Sequence, residues 1–259
     1  MLSEIKQHLS NHPWKDQIYW FDTIDSTNTY AKKLAEEGAP EGTIILAGQQ
    51  SGGRGRLGRS FSSPAGMGIY LSVILRPDCL PEELMHLTCA TGVAAVRAID
   101  RPTVGIKWTN DLVLGKRKLG GILTEISINP TTGKVDWVVV GIGINCCQKP
   151  WQFPEEIRDI ACSLDMDYQD TPPLVAALIE QLHVINDTLL TEKKEIMAAF
   201  TKKCVTIGSE ISVVRGEHIR HGKAIDVDEN GGLKVQYPDG STETVTSGEV
   251  SIRGMYGYV

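Results

Sequence analysis

The sequence predicts an α+β fold: a mixed β-sheet layered with a few helices, followed by a small β-barrel. Two observations carry this. Between Ile18 and Ile144 several apolar runs follow one another with few helical stretches between them, which favours a mixed sheet over a doubly wound parallel one. From about Thr206 the texture changes to short alternating runs separated by Asn230-Gly231-Gly232 and Pro238-Asp239-Gly240. Turn signals spaced roughly every 8–12 residues suggest a barrel of about 50 residues. The boundary falls near residue 205, giving domains 1–205 and 206–259.

The elements follow in order. Residues 1–17 are polar and reach a break at Asn11-His12-Pro13-Trp14, which predicts one short helix. Ile18-Tyr19-Trp20-Phe21 reads as a first strand. Asp25-Ser26-Thr27-Asn28 offers N-caps to a helix over Tyr30–Glu37, stopped by Gly38 and Pro40. Thr43–Gly48 is an apolar strand, and Ser60–Gly68, with Pro64, Gly66 and Gly68, holds no helix of any length. Ile69–Leu75 is a strand, and Pro81 opens a long helix to about Ile99. Val104–Trp108 and Leu112–Leu114 are short strands around Thr109-Asn110-Asp111. Leu119–Ile128 and Trp137–Ile144 are longer strands joined by the turn Asn129–Gly133. Residues 145–171 are irregular, and Leu174–Leu190 and Lys193–Lys203 are helical. The barrel strands are Ile211–Val214, Lys223–Val227, Leu233–Tyr237, Thr242–Val245 and Val250–Ile252.

Composition narrows the function classes. A hydrophobic content of 41% with 22% charged residues is enough for a full globular core. A net charge of −6 argues against non-specific nucleic-acid binding as the main task. The N-terminus lacks a basic segment followed by an apolar one, and no apolar run approaches the roughly 20 residues of a spanning helix. The expectation is a cytoplasmic protein without membrane partners. Six cysteines form no C-x-x-C pair, so they read as reduced, mostly buried thiols. The six histidines are scattered, with His183 in an apolar helical stretch and His218 and His221 in a solvated loop; they form no metal cluster.

Against this acidic background, Gln50–Arg59 packs four glycines and three arginines into ten residues. Such a stretch costs backbone entropy and buries nothing. It offers exposed N–H groups and guanidinium forks for phosphate or carboxylate, so it reads as a basic loop that closes over an anionic small molecule. Gly53-x-Gly55-x-x-Gly58 matches the dinucleotide fingerprint in form only, because the residues after Gly58 cannot open the helix it requires. Kinase and P-loop patterns fail as well. Asp226-x-Asp228-x-Asn230-Gly231 begins like a calcium loop, but its twelfth position is Tyr237, so it reads as a hairpin turn.

Four further stretches set glycine or polar residues beside strands. Lys107-Trp108-Thr109-Asn110-Asp111-Leu112 reads plainly as a strand-connecting turn, yet Trp108 beside a lysine, an amide and a carboxylate is costly for a mere turn. Lys118 enters a strand beside Gly120 and Gly121 and is placed to face a pocket where a ligand meets bare backbone. Gly141-Ile142-Gly143-Ile144-Asn145 ends an apolar strand, as close helix packing alone would also require. Asp25-Ser26-Thr27-Asn28 by itself reads as capping.

Together and in this order, these stretches and Arg117–Glu125 resemble biotin protein ligase. The match covers about residues 18–145 in motif detail and extends to the C-terminal barrel by architecture. The Gly-Arg-Gly-Arg-x-Gly-Arg run is its most specific piece, since the related lipoate ligases lack it. The resemblance implies a class II synthetase-like sheet of the biotin–lipoate ligase type and an SH3-like barrel. It implies two half-reactions: biotin and Mg-ATP give biotinyl-5′-AMP, and the ε-amine of an acceptor lysine on a carboxylase domain then takes the biotin. Lys118 would contact the biotin carboxylate and the α-phosphate, and Arg54, Arg56 and Arg59 would neutralise the phosphates. Asp111 would help hold magnesium or orient the acceptor lysine. Ser26, Thr27, Asn28, Gln50, Gly53 and Gly121 would surround biotin. Asn110, Gly141 and Asn145 would line the nucleotide side, with Phe61 on adenine where many relatives carry tryptophan.

The same resemblance frames the alternatives. Part of the family carries an N-terminal helix-turn-helix and acts as a repressor. Only about 17 residues precede the first strand here, so operator binding is not expected. A homodimer through a sheet edge is a family-level expectation. A lipoate or octanoate ligase or transferase on the same fold, and a non-catalytic biotin sensor, are the competing readings.

Overall fold

The computed structural model describes residues 1–215, 217–246, 249–252 and 255. Its larger sheet holds β1 (Ile18–Phe21), β2 (Ile44–Ala47), β3 (Gly68–Leu75), β4 (Val104–Lys107), β5 (Asp111–Leu114), β6 (Arg117–Ile128) and β7 (Val135–Asn145). Their order is β1-β2-β3-β7-β6-β5-β4. β1 runs parallel to β2, and every other neighbouring pair is antiparallel, so the sheet is mixed as expected. A parallel pair needs a crossover, and α2 (Thr27–Glu36) supplies it.

The centre of the sheet is buried on both faces, which is why every residue of β3 is buried. Alternation divides the strands between the two layers. Ile69, Leu71 and Val73 of β3 and Val138, Val140 and Ile142 of β7 join the main core. That core also takes in α1 (Leu2–His8), α3 (Leu87–Ile99), α4 (Thr171–Thr188) and α5 (Lys193–Lys203) through Ile5, Val93, Ile179 and Phe200. The opposite face presents Ile45, Ile74, Trp137 and Val139 to Ala31 and Ala35 of α2. Helix α2 covers only part of that face. Beyond its N-terminus β7 carries Gly141 and Gly143, and the missing side chains leave a hollow there.

The second sheet is antiparallel, in the order β11-β10-β9-β8-β12, from β8 (Glu210–Arg215), β9 (His218–Val227), β10 (Leu233–Gln236), β11 (Thr242–Val245) and β12 (Glu249–Ile252). Its inward faces bury Val213, Ala224, Leu233, Val235 and Val245. Asn230-Gly231 is a turn, as read from the sequence: the N–H groups of Asn230 and Gly232 both donate to Asp228 Oδ1, and Gly231 has φ +84°.

Three expectations need correction. Pro81 opens a 3₁₀ turn over Pro81–Leu84, and the α-helix begins only at Leu87. The break coincides with buried His86, whose Nε2 is committed to Leu189 O at 2.9 Å. His218 and His221 lie exposed on strand β9 and not in a loop, because that strand continues well past the alternating core of the run. The helix expected from Tyr30 starts at Thr27, with Ser26 as its N-cap. All six cysteines are free thiols. Among the described residues no helix is long and apolar enough to cross a membrane.

Candidate active site

The hollow beyond α2 is one end of a cleft with about 1000 Å³ of non-protein space, open solvent included. Its floor is a continuous chain of polar side chains. Ser63 Oγ donates to Phe61 O at 3.0 Å, and Gln50 Nε2 donates to Ser63 Oγ at 2.9 Å. Gln50 Oε1 accepts from both the N–H and the hydroxyl of Thr27, at 2.8 and 3.1 Å. Ser72 Oγ lies 2.8 Å from Thr27 Oγ1 and donates to Asn28 Oδ1 at 2.7 Å. Asn28 Nδ2 in turn donates to Leu123 O and to Glu125 Oε2 at 3.2 and 3.0 Å. Burying so many polar groups is tolerable only because they satisfy one another.

Glycines make this packing possible. A Cβ on Gly141 would overlap Asn28 Oδ1, and one on Gly143 would overlap the Phe61 ring, so Phe61 lies on bare backbone of β7. Gly53 is likewise filled by Phe61 O and Ser63 Oγ. Gly121 differs. A Cβ there would make ordinary contact with Lys118 Cε at 3.6 Å, so the protein itself does not demand glycine. Its bare backbone faces the cleft.

The arginine loop forms one wall. Phe61 N–H bonds Gly53 O at 2.8 Å and Gly55 N–H bonds Arg59 O at 2.7 Å, which folds the loop into a narrow finger. Leu57 and Gly58 turn its tip with φ of +55° and +75°. Arg54 Nη1 reaches Glu125 Oε1 at 3.2 Å, and Arg56 Nη1 crosses the cleft to Asn110 Oδ1 at 2.8 Å. Arg59 also lines the cleft.

The facing wall is the turn between β4 and β5 together with the start of β6. Lys118 Nζ sits 2.8 Å from Asp111 Oδ1, beside buried Lys107. The backbone of Lys118 is clamped on its other side, to Ile160 O at 2.7 Å and from Cys162 N–H at 2.8 Å. Trp108 gives its backbone N–H to Thr206 Oγ1 and its indole N–H to Gly231 O, at 2.8 and 2.7 Å. Val250 of β12 also borders the cleft, so the second sheet contributes to the site.

Among the described residues, five cationic side chains and one carboxylate line this cleft in a chain of net charge −6. The arrangement favours an anion. Glu125, at the cleft edge, is ionised: burial acts to raise its pKa, but hydrogen bonds from Lys32 and Asn28 and the charges of Lys32 and Arg54 outweigh it and lower it. Among the described residues no group of three or more His, Cys, Asp or Glu could hold a metal ion. Asp111, the one lining carboxylate among the described residues, is paired with Lys118, so this donor set does not fit a resident magnesium.

Of the residues singled out from sequence, Ser26, Thr27, Asn28, Gln50, Arg54, Arg56, Arg59, Phe61, Asn110, Asp111, Lys118, Gly121 and Gly141 converge on the cleft. Gly53 and Asn145 do not line it. Asn145 Nδ2 instead bonds Cys162 O at 3.0 Å, tying down the segment that clamps Lys118. Sequence reasoning missed Ser72 and Val250, and it singled out the stretches holding Lys107, Gly143 and Glu125 without giving those residues a role of their own. Ser72 carried a signal, since it is a polar residue inside an otherwise apolar strand.

Residues 20–145 match the biotin/lipoate A/B protein ligase family, and residues 206–253 match the biotin protein ligase C-terminal domain. The bifunctional ligase/repressor BirA of Bacillus subtilis is 32% identical over 252 residues, covering 92% of this chain and 75% of its own length. The biotin–[acetyl-CoA-carboxylase] ligase of Mycobacterium tuberculosis is 30% identical, with 87% and 85% covered. Among solved structures, the biotin protein ligase of Aquifex aeolicus in complex with biotin and ATP superimposes with a TM-score of 0.74 at 30% identity, over 91% of this chain and 98% of that one. With the residue pattern, the sheet topology and these relatives in agreement, the chain belongs to the biotin protein ligase family.

Proposed function

We propose that the chain is an ATP-dependent biotin ligase that forms biotinyl-5′-AMP and passes the biotin to a lysine of a carboxylase acceptor domain. The observation that carries this reading is the meeting of Lys118 and the loop arginines at a cationic cleft floored by a neutral polar chain. Biotin is a carboxylate on an apolar tail with a neutral ureido head, and it matches both parts. Its carboxylate and the α-phosphate of ATP repel each other, so cations must offset that charge before an acyl phosphate can form.

In the first step a carboxylate oxygen of biotin bonds to the α-phosphorus, and the bond to the pyrophosphate oxygen breaks with its electron pair. Lys118 stands where that charge gathers, and Arg54, Arg56 and Arg59 flank the phosphates. Ser26, Thr27, Gln50 and the backbone at Gly121 supply donors and acceptors for the ureido group. Phe61, lying on Gly143, offers a ring for the nucleotide, whose side Gly141 would also line. Asn145 would act indirectly, through the segment that clamps Lys118. Magnesium would arrive with the nucleotide and find a single carboxylate, Asp111. In the second step the lysine amine attacks the acyl carbon, AMP leaves with the electron pair of the broken C–O bond, and the amine loses its proton. The domains would be 1–205 and 206–259.

The test is labelling of a purified biotin-acceptor domain with biotin and Mg-ATP, with the acceptor lysine changed to arginine as control. Label on the lysine and biotin-dependent pyrophosphate release are expected. Release driven by lipoate or octanoate instead would move the chain to the other ligase branch. Tight biotin binding with no turnover would make it a sensor.

A further inference from the structure

Glu125 is out of place on electrostatic grounds. A cleft built to receive anions gains nothing from a second carboxylate at its rim, and Glu125 is only 21% exposed. It follows Gly121 and Leu123 by strand alternation and pairs with Val139, so it sits on the cleft side of β6. Its oxygens are heavily subscribed. Oε1 takes Lys32 Nζ at 2.8 Å and Arg54 Nη1 at 3.2 Å, and Oε2 takes Asn28 Nδ2 at 3.0 Å. Asn28 is in turn fixed by Ser72 on the buried strand β3. The carboxylate is thus rigidly held by the sheet and by α2, while Arg54 belongs to the loop. Arg54 engages through Nη1, and a planar guanidinium held at one corner can still present its other edge to a second anion.

We propose that Glu125 is the positioning residue of the arginine loop. It moors Arg54 to β6, with Lys32 balancing its charge, so that the first limb of the loop is held against the cleft. The mooring is a property of the ligand-free protein. Its consequence for the acyl adenylate rests on the ligase reading above.

The variants Glu125→Gln and Lys32→Met make opposite predictions. Glutamine keeps the shape and the Asn28 contact but loses the charge that holds Arg54. Methionine removes the competitor for Oε1 and leaves Arg54 more firmly held. Tryptic cleavage after Arg56 and Arg59 in ligand-free protein should rise roughly tenfold in Glu125→Gln and stay level or fall in Lys32→Met. Preformed biotinyl-adenylate should leave Glu125→Gln roughly tenfold faster, and KM for ATP should rise by a similar factor with kcat within about twofold. Cleavage within twofold of wild type, or acceleration in both variants alike, would overturn the mooring; faster cleavage with unchanged adenylate release would overturn its consequence for the adenylate. If Glu125→Gln fails to fold, Glu125→Asp, which keeps the charge but shortens the reach, takes the same measurements. A wild-type protein that forms no adenylate would sink the ligase reading, while the cleavage comparison would still judge the mooring.

Discussion

Arg56 Nη1 donates to Asn110 Oδ1 at 2.8 Å, and this bond joins the tip of the arginine loop to the turn between β4 and β5. The two stretches are 54 residues apart in sequence, and this bond spans the cleft between them. Arg56→Gly removes both the bond and a cation facing the phosphates. The variant should release its adenylate early and biotinylate bystander lysines, scored by mass spectrometry of an unrelated protein added to the assay. Retained adenylate and unchanged selectivity would refute the role of the loop as a cover.

Lys118→Met removes the cation beside Asp111 while keeping the length of the side chain. If Lys118 stabilises charge at the reacting carboxylate and phosphate, biotin-dependent pyrophosphate release should fall by about 10²–10³. A fall of less than threefold would assign that task to the loop arginines alone.

Two glycine substitutions separate stability from binding. In Gly141→Ala the new methyl meets Asn28 Oδ1, so the protein should lose about 1–3 kcal/mol in urea unfolding. In Gly121→Ala the methyl fits against Lys118 Cε at 3.6 Å, so unfolding should match wild type within about 0.5 kcal/mol. Biotin affinity, measured by calorimetry, should nevertheless drop in Gly121→Ala, because the methyl enters the ligand's space. Wild-type affinity there would remove Gly121 from the binding surface.

Burial pushes the Cys89 and Cys146 thiols up to about 12. Each holds its proton more tightly in the folded chain than in the unfolded one. The unfolded state therefore binds fewer protons above the ordinary thiol value, and stability falls as pH rises. The full stability is present below about pH 8.5, and each thiol should account for a loss of about 1.5–2 kcal/mol near pH 10. Urea midpoints between pH 8 and 10.5 measure this, and Cys146→Ala should flatten its share of the slope. A midpoint independent of pH over that range would contradict the assignment.

The sheet was legible from apolar runs bounded by glycine and proline, because strands buried on both faces, such as β3, write themselves as unbroken hydrophobic stretches. The site was legible because its loop and strand glycines stand beside arginines and lysine, an expensive combination for structure alone. Tertiary bonds hid the rest. Nothing local marks Glu125 as the partner of Lys32, 93 residues away, or His86 as the break before α3, since its partner Leu189 lies 103 residues on. Asn145 ends a largely apolar strand, yet its amide serves a neighbouring segment and not the cleft.

Trp108 depends on the chain beyond residue 205 for both of its N–H bonds, to Thr206 and to Gly231. Cutting the chain at residue 205 would remove both acceptors at the wall of the cleft, at a cost of about 0.5–1.5 kcal/mol for each hydrogen bond lost. The two sheets should therefore melt as one cooperative transition, and the indole of Trp108 should report on it by a fluorescence change that coincides with loss of secondary structure.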